Sequence, residues 1–334
     1  MTAPKVLIVE REGALSSRLG GAFGRDLIRC ENTVAPPGML EAVRRYLPAL
    51  VMVEVDSVGG EVGKAIESVM AEAPVPMLLM ALGPAQRQVA LALLSAGALD
   101  VMQVPLIIDP AFLHTLKRQV LLLSRVSVVR HPRGRKRRAS QKLPTVKPLS
   151  PIIAIAASLG GPKALAQLLA DIPANFGASM VICQHITPGF SDDLARWLAS
   201  ESRLPVREAV TGQTLIKGEV IIAPAHLHLV VQAGGVLRLE DGPPVGGFKP
   251  SCDVMLKSVA AAYGNRAIGV ILTGMGRDGA KGMKEIHTRG GRTIAQDEKS
   301  CVVFGMPKEA IALGAAEKIL PLDQIAEQLM AWVS

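Results

Sequence analysis

The sequence predicts an α/β protein in which two parallel-sheet domains follow one another along the chain. In both halves, apolar runs alternate with helix-like segments; they read KVLIVE, ALVMVEV, VPMLLMAL and ALDVMQVP, then PIIAIAA, ASMVICQ, EVIIAPA, AIGVILTG and GRTIAQD. Continuous apolar strands that alternate with helices are typical of a parallel sheet covered on both faces. With 334 residues, 49% of them hydrophobic, the chain is long enough for two such cores.

Further helices and a hairpin are predicted in the second half of the chain. The segment HLHLVVQAGGVLRLEDG has the pattern of a β-hairpin inserted into the α/β order, so the second sheet is predicted to be doubly wound with this insertion. Helices are expected to begin near five residues: Pro162, Ser191, Asp253, Gly279 and Lys308.

A basic segment separates the two halves. The stretch RHPRGRKRRASQKLPTVKPLSP is rich in Pro, Arg and Lys and has neither helical nor strand periodicity. It carries eight basic residues and no acidic ones between Arg130 and Lys147, which equals the net charge of +8 for the whole chain. We therefore predict a first domain at 1–125, a self-repelling linker at 126–150 and a second domain at 151–334.

The composition argues against several classes of protein. Aromatic residues make up only 3% of the chain, which disfavours a base-stacking nucleic-acid surface. The N-terminus runs directly into a strand pattern, which argues against a signal peptide. No apolar span is long enough for a membrane helix. The four cysteines show no paired spacing, which indicates reduced thiols in a cytoplasmic protein. His226 and His228 lie two residues apart without further ligands nearby, so we predict hairpin packing, no metal site and no cofactor.

Three polar residues of the second half follow predicted strands. Ser158 comes after PIIAIAA, His185 after ASMVICQ, and Asp278 after AIGVILTG. Because such positions collect at one edge of a parallel sheet, a hydroxyl, an imidazole and a carboxylate are expected to meet there. These groups are the parts of an acyl-transfer triad, in which the serine attacks, the histidine takes its proton and the aspartate orients the imidazole.

Each of the three residues also has a structural interpretation. Ser158 precedes Gly-Gly-Pro, so it could serve only as a turn or cap residue. His185 could be a packing or binding residue, and Asp278 could cap the helix expected near Gly279. A phosphate-binding loop fits less well, because SLGGPK lacks the Gly-Lys-Ser/Thr ending and GMGRDG places a carboxylate where phosphate would lie.

The second half resembles the catalytic domain of the chemotaxis protein-glutamate methylesterases, the CheB family. The resemblance rests on IAASLGGPKAL, CQHITPGF, IAPAHLHLV, SCDVMLKSVA, GVILTGMGRDGAKGM and TIAQDEKSCVVFGMPKEAI, in family order. It implies that Ser158 is the nucleophile, His185 the base and Asp278 the orienting acid, with the Met275 N–H in the oxyanion hole. One departure lies beside the nucleophile, where Leu159 replaces the threonine usual in the family.

The resemblance also implies a reaction and its partners. The expected reaction is hydrolysis of glutamate γ-methyl esters on the cytoplasmic helices of chemoreceptors, with release of methanol. A chemosensory kinase is a further candidate partner; nucleic acid and membrane insertion are not expected. The alternatives that remain are a receptor glutamine deamidase, a catalytically silent docking scaffold, and a DNA-binding response regulator suggested by the basic run. The last lacks a helix-turn-helix pattern after the linker.

The first half resembles a flavodoxin-like receiver domain with altered key positions. A receiver has an acidic pair after its first strand, and this chain has Glu10 and Arg11. The phosphate-accepting aspartate aligns with Glu54, the hydroxyl residue with Ala81, and the conserved lysine with Val104. The resemblance therefore implies a pseudo-receiver that neither binds Mg²⁺ nor accepts phosphate, unless the nearby Asp56 replaces Glu54.

Overall fold

Two separate parallel sheets organise the chain in the computed structural model, which describes residues 4–10, 13–19, 29–56, 60–128 and 150–333. The chain divides into two structural units, Met1–Lys136 and Arg137–Ser334. Most of the proposed linker falls at 129–149, outside the described residues, so the linker and the predicted domain borders stay sequence predictions.

The first unit contains a five-stranded parallel sheet. Its strands lie in the order β2-β1-β3-β4-β5, which is the flavodoxin-like order that the resemblance implies. The strands are β1 Lys5–Val9, β2 Arg29–Val34, β3 Leu50–Glu54, β4 Met77–Ala81 and β5 Asp100–Gln103. β2 was not among the predicted apolar runs because its sequence, RCENTV, is largely polar.

Within the part of this unit that the structure describes, five helices connect or follow these strands. They are α1 Ala14–Leu19, α2 Met39–Tyr46, α3 Gly60–Glu72, α4 Pro84–Leu93 and α5 Pro110–Leu123. α4 and α5 each have proline in their first turn, where a missing N–H costs no hydrogen bond. β3 and β4 are buried almost throughout, which confirms the predicted sheet with both faces covered.

The second unit contains a seven-stranded parallel sheet in the order β14-β13-β12-β6-β7-β9-β8. Its strands are β6 Ile152–Ala157, β7 Ser179–Gln184, β8 Val206–Glu208, β9 Val220–Ile222, β12 Ala267–Ile271, β13 Arg292–Gln296 and β14 Lys318–Leu320. The predicted hairpin is confirmed as an antiparallel pair, β10 His228–Val231 and β11 Leu237–Glu240. The chain leaves the centre of the sheet in both directions from β6, as in other doubly wound folds.

Six helices cover this sheet. They are α6 Gly161–Asp171, α7 Ser191–Glu201, α8 Cys252–Tyr263, α9 Ala280–Thr288, α10 Met306–Ala312 and α11 Leu322–Val333. α8, α9 and α10 share a core with Ile152, Ala154 and Ala156, whereas α6 packs against α7 and α11. All six residues of β6 are buried, so helices cover both faces of the sheet. Among the described residues, no helix combines the length and apolar character needed to cross a bilayer.

Candidate active site

The three predicted triad residues lie at the ends of three adjacent central strands. In the order β12-β6-β7, Asp278 lies in the loop after β12, Ser158 directly follows β6, and His185 directly follows β7. The carboxyl ends of these parallel strands share one edge of the sheet, which is where ligands bind in folds of this class.

The backbone fixes Ser158 on a tight corner between β6 and α6. Its N–H donates to the carbonyl oxygen of Thr273 at 3.1 Å, and its own carbonyl accepts from the Gly161 N–H at 2.8 Å. Gly160 completes the corner with a φ of 75°, a left-handed conformation that glycine adopts without a steric penalty. The half-buried serine is thus held at the sheet edge by backbone groups rather than by its hydroxyl.

Gln184 ties the serine corner to the histidine. Strand pairing places Ala157 opposite Gln184, and the His185 N–H donates to the Ala157 carbonyl at 3.0 Å, so Ser158 and His185 leave adjacent strands together. The Gln184 Nε2 donates to the carbonyls of Ser158 at 2.7 Å and His185 at 2.9 Å. Gly161 makes room for this amide, since an added Cβ would lie 2.0 Å from Gln184 Oε1.

His185 and Asp278 form a direct hydrogen bond. The His185 Nε2 lies 2.8 Å from the Asp278 Oδ2, and because a carboxylate only accepts, the proton belongs on Nε2. The other ring nitrogen, Nδ1, is then a proton acceptor; it is buried and has no hydrogen-bond partner among the described residues. The bond from Ser158 to this nitrogen is therefore not formed, although such bonds often tighten only when substrate binds.

Asp278 is anchored at the start of α8. Its carboxylate accepts from the Ser251 hydroxyl at 2.8 Å and from the backbone N–H groups of Cys252 at 2.7 Å and Asp253 at 3.0 Å. The alternative role as N-cap of α9 belongs to Gly279. A helix N-terminus favours negative charge, so this position both orients and ionises the carboxylate.

The same contacts shift the acidities of the pair. Burial by itself raises the pKa of Asp278, but the hydrogen bond and charge of His185 and the α8 amides outweigh it and lower the pKa. Burial lowers the pKa of His185, whereas Cys252 and the Asp278 carboxylate raise it through charge and hydrogen bonding, and the net effect is a raised pKa. Burial also raises the pKa of the Cys252 thiol well above its usual value. This thiol is therefore neutral near pH 7, and Asp278 is the charge that acts on His185.

An aromatic ring covers one face of the imidazole. Phe248 stacks on His185 with ring centroids 4.1 Å apart and planes inclined by 4°. The ring lies on the loop between β11 and α8, where Val245 and Phe248 exchange backbone hydrogen bonds across two glycines. Nothing in the local sequence marked Phe248 as a site residue, because its partner is 63 positions away in the chain.

The segment after β12 passes directly over the serine. A Cβ added at Gly274 would lie 2.8 Å from the Ser158 Cβ and 2.3 Å from the Met306 Sδ, so only glycine fits here. Met275, the predicted oxyanion residue, follows at once. Its N–H takes no part in the hydrogen bonds that the structure gives for the described residues.

The two neighbouring histidines of the hairpin do not form a metal site. His226 is exposed, whereas His228 is buried. The His228 Nδ1 accepts from the Ser251 N–H at 3.1 Å, and its Nε2 donates to the Pro243 carbonyl at 3.1 Å. His228 therefore fastens the hairpin to the start of α8, in line with the predicted packing role.

Ser191 begins α7, near the predicted helix start, but does not cap it. The N-cap of α7 is Phe190, and Ser191 is the first helical residue. Its hydroxyl donates to the Glu208 carboxylate and accepts from the Ala225 N–H at 3.1 Å. The serine joins α7 to the sheet edge instead of capping its own helix.

The receiver-type positions of the first unit also meet at one sheet edge. Glu10 directly follows β1, Glu54 ends β3, Ala81 ends β4, and Val104 directly follows β5. Ala81 and Val104 are fully buried, and the Val104 N–H donates to the Ala81 carbonyl at 2.9 Å. Arg11 lies outside the described residues.

The acidic groups at this edge differ in exposure. Glu10 is buried, and its carboxylate accepts from the Ser16 N–H at 2.9 Å. Glu54 and Asp56 line a cavity of about 30 Å³ together with Pro36 and Val62. Both of these side chains are partly exposed.

Known proteins similar to this chain cover both units. The family model described as CheB methylesterase matches residues 153–329. The protein-glutamate methylesterase FrzG of Myxococcus xanthus is 48% identical over 89% of this chain and 88% of its own. The protein-glutamate methylesterase/protein-glutamine glutaminase 1 of Anaeromyxobacter dehalogenans (strain 2CP-C) is 34% identical over 99% of both chains. The crystal structure of the Thermotoga maritima CheB methylesterase catalytic domain matches with a TM-score of 0.54 and 40% identity, over 55% of this chain and 98% of that one. The chain belongs to the CheB methylesterase family.

Proposed function

We propose that this protein hydrolyses glutamate γ-methyl esters on the cytoplasmic helices of chemoreceptors through a triad of Ser158, His185 and Asp278. The observation that carries the proposal is the oriented His185–Asp278 pair beside the Ser158 corner, at the carboxyl edge of three adjacent strands. The named activity of the relatives supports the substrate class. The cytoplasm is the compartment in which such receptor helices would be met.

The geometry supports a separate role for each nitrogen of His185. Nε2–H donates to Asp278, so Nδ1 carries the lone pair that accepts the Ser158 proton during attack on the ester carbonyl. The tetrahedral intermediate places its oxyanion toward the Met275 N–H, a donor worth roughly 3 kcal/mol in comparable sites. His185 then returns the proton to the methoxy oxygen, methanol leaves, and the glutamyl group remains esterified to Ser158.

Water completes the reaction by the reverse proton path. His185 Nδ1 takes a proton from the attacking water, and the second tetrahedral intermediate again uses the Met275 N–H. Collapse returns the proton to the Ser158 oxygen and releases glutamate. Throughout, Asp278 stays ionised because four donors surround it, and it stabilises the imidazolium that forms in each step.

Glutamine deamidation is a second candidate activity of the same site. The Anaeromyxobacter relative carries both activities in its name. An amide carbonyl would be attacked by the same serine, and ammonia would leave in place of methanol. The two activities are separated by supplying receptor membranes that carry labelled methyl groups or glutamine at the same sites. Methanol release supports the esterase, ammonia release the deamidase, and neither product supports a silent docking scaffold.

The rate should rise with pH through a midpoint above the ordinary histidine value of about 6.5. His185 must be neutral to act as a base, and Asp278 raises its pKa. As the pH is lowered, the rate should therefore fall at a higher pH than it would with an unperturbed histidine. The measurement is kcat/KM for methanol release between pH 5 and 10. A midpoint below 6.5, or a flat profile while chemistry limits the rate, would contradict the assignment of His185.

We also propose that the first unit does not work as a phosphate switch. Val104 offers no cation for phosphoryl oxygens, Ala81 offers no hydroxyl, and both are buried in apolar surroundings. Acetyl phosphate with Mg²⁺ should therefore neither add a phosphoryl group nor change the esterase rate. Intact-mass measurement and the methanol assay would test both points. A phosphoryl mass gain that disappears in Asp56→Ala would show that Asp56 is a working acceptor.

A further inference from the structure

Two thiols lie directly behind the catalytic histidine. The Sγ atoms of Cys183 and Cys252 and a ring nitrogen of His185 all lie within 4.8 Å of one another. Both cysteines are buried and reduced, whereas the His185 side chain is 11% exposed and forms the outer side of the cluster. No step of the proposed hydrolysis uses either thiol. The proposed hydrolysis therefore does not explain why two thiols lie beside the base.

The spacing of this cluster suits a tetrahedral metal ion. The Cys252 Sγ lies 3.5 Å from the His185 Nε2. Zinc bonds of about 2.3 Å to sulfur and 2.0–2.1 Å to nitrogen put two such ligands about 3.5 Å apart in a tetrahedron. Asp278 Oδ2, 2.8 Å from the same nitrogen, is near enough to complete a set of two sulfurs, one nitrogen and one oxygen.

The donor types select the class of metal. Thiolate and imidazole ligands favour Zn²⁺ and related soft or borderline ions, whereas Mg²⁺ and Ca²⁺ require oxygen ligands. The positions of the ligands are also constrained. Cys183 lies in the central strand β7, and Cys252 is the first residue of α8, so both thiols are held on regular structure.

We propose that Cys183, Cys252 and His185 form an inhibitory Zn²⁺ site that switches off the triad. Binding takes the lone pair of Nε2, the nitrogen that otherwise carries the proton to Asp278. The imidazole proton moves to Nδ1, and the two thiols release their protons to solvent as they become thiolates. Nδ1 is then a donor and cannot accept the proton of Ser158. Zinc would thus lock the histidine in the tautomer that is inactive as a base.

The binding step and its consequence are tested separately, because inhibition rests on the proposed esterase function and binding does not. The full-length protein is titrated with Zn²⁺ in a calorimeter and with Cd²⁺ in an absorption spectrometer. We expect one ion per chain, release of protons, and ultraviolet absorption from thiolate–cadmium charge transfer. Binding without that absorption, or no binding at about 100 μM metal, overturns the site, since a set with two thiolates should bind far more tightly.

Cysteine variants locate the bound ion. Cys183→Ala and Cys252→Ala should each weaken binding by at least about tenfold, which is the smallest loss typical even when only an outer-shell partner of a metal ligand is changed. Cys301→Ala is the matched control, because this partly exposed thiol lies outside the cluster and should leave the titration as in the parent. If Cys252→Ala fails to fold, Cys183→Ala and the cadmium absorption of the parent decide the question.

The esterase assay then tests the tautomer lock. Methanol release by the parent should fall at least tenfold when the site is filled, and a chelator should restore it. The cysteine variants, each compared with its own metal-free rate, should need correspondingly more zinc. Inhibition that persists unchanged in both variants, or a filled site with full activity, overturns the inhibitory role. If the parent releases no methanol even without metal, the proposed function fails while the binding data still decide the site.

Discussion

Replacing Ser158 by alanine should reduce methanol release on the order of 10³-fold or more, because members of a triad act as a unit. The substitution removes the oxygen that attacks the ester and that carries the acyl group afterwards. Without it, His185 and Asp278 have no nucleophile to activate within the proposed path. The measurement is methanol release from methylated receptor membranes by parent and variant at equal concentration, together with trapping of the acyl-enzyme by rapid acid quench.

The alanine variant should keep its fold. The corner is held by backbone hydrogen bonds of Ser158, Gly160 and Gly161, and these survive the loss of the hydroxyl. Ser200→Ala is a matched control, since its hydroxyl only donates to the Trp197 carbonyl of its own helix. The control should retain the parental rate. Near-normal turnover by the Ser158→Ala variant, with unchanged melting temperature, would remove Ser158 from the mechanism.

The sequence predicted the parts of the fold that depend on local pattern. Long apolar strands such as β6 and β7 were recognisable because both faces of the sheet are covered, so nearly every residue is apolar. The short strands β8 and β14 were missed. Each has three residues that are only partly buried or exposed, so neither shows a continuous apolar run. Their place in the sheet comes from pairing with β9 and β13 rather than from their own residues.

Only the site residues that follow a strand could be predicted from the sequence. Ser158, His185 and Asp278 each follow a recognisable strand, and adjacent parallel strands bring such residues together. Phe248 and Ser251 lie on or beside the loop before α8, and their contacts with the pair come from tertiary packing. The thiol cluster was missed for the same reason. Cys183 and Cys252 are 69 positions apart, and spacing rules detect metal ligands only when they recur at short intervals.

Replacing Asp278 by asparagine should reduce the rate by about 10⁴-fold, as in triads in which the orienting carboxylate is made an amide. The Asp278 carboxylate accepts four hydrogen bonds, two at each oxygen, from His185, Ser251, Cys252 and Asp253. An amide NH₂ in either place would face a backbone N–H of α8. If it replaces Oδ2, it also faces the Nε2–H of His185 and favours the tautomer with the proton on Nδ1, which cannot act as a base.

The variant should also lose stability and shift the pH profile. A buried donor that faces another donor lowers the free energy of unfolding by about 1–3 kcal/mol, so the melting temperature should fall while the fold persists. Without the negative charge, burial dominates and the midpoint of the pH profile should move down from its raised position.

Asp253→Asn is the matched control, because the Asp253 carboxylate accepts from Gly279 and Gly282 and does not contact His185. Both bonds go to Oδ1, and the asparagine carbonyl oxygen can accept both, so this variant should keep its fold and most of the rate. Equal rate losses in the two variants would mean that the loss comes from removing a negative charge near the α8 N-terminus, and not from the contact of Asp278 with His185.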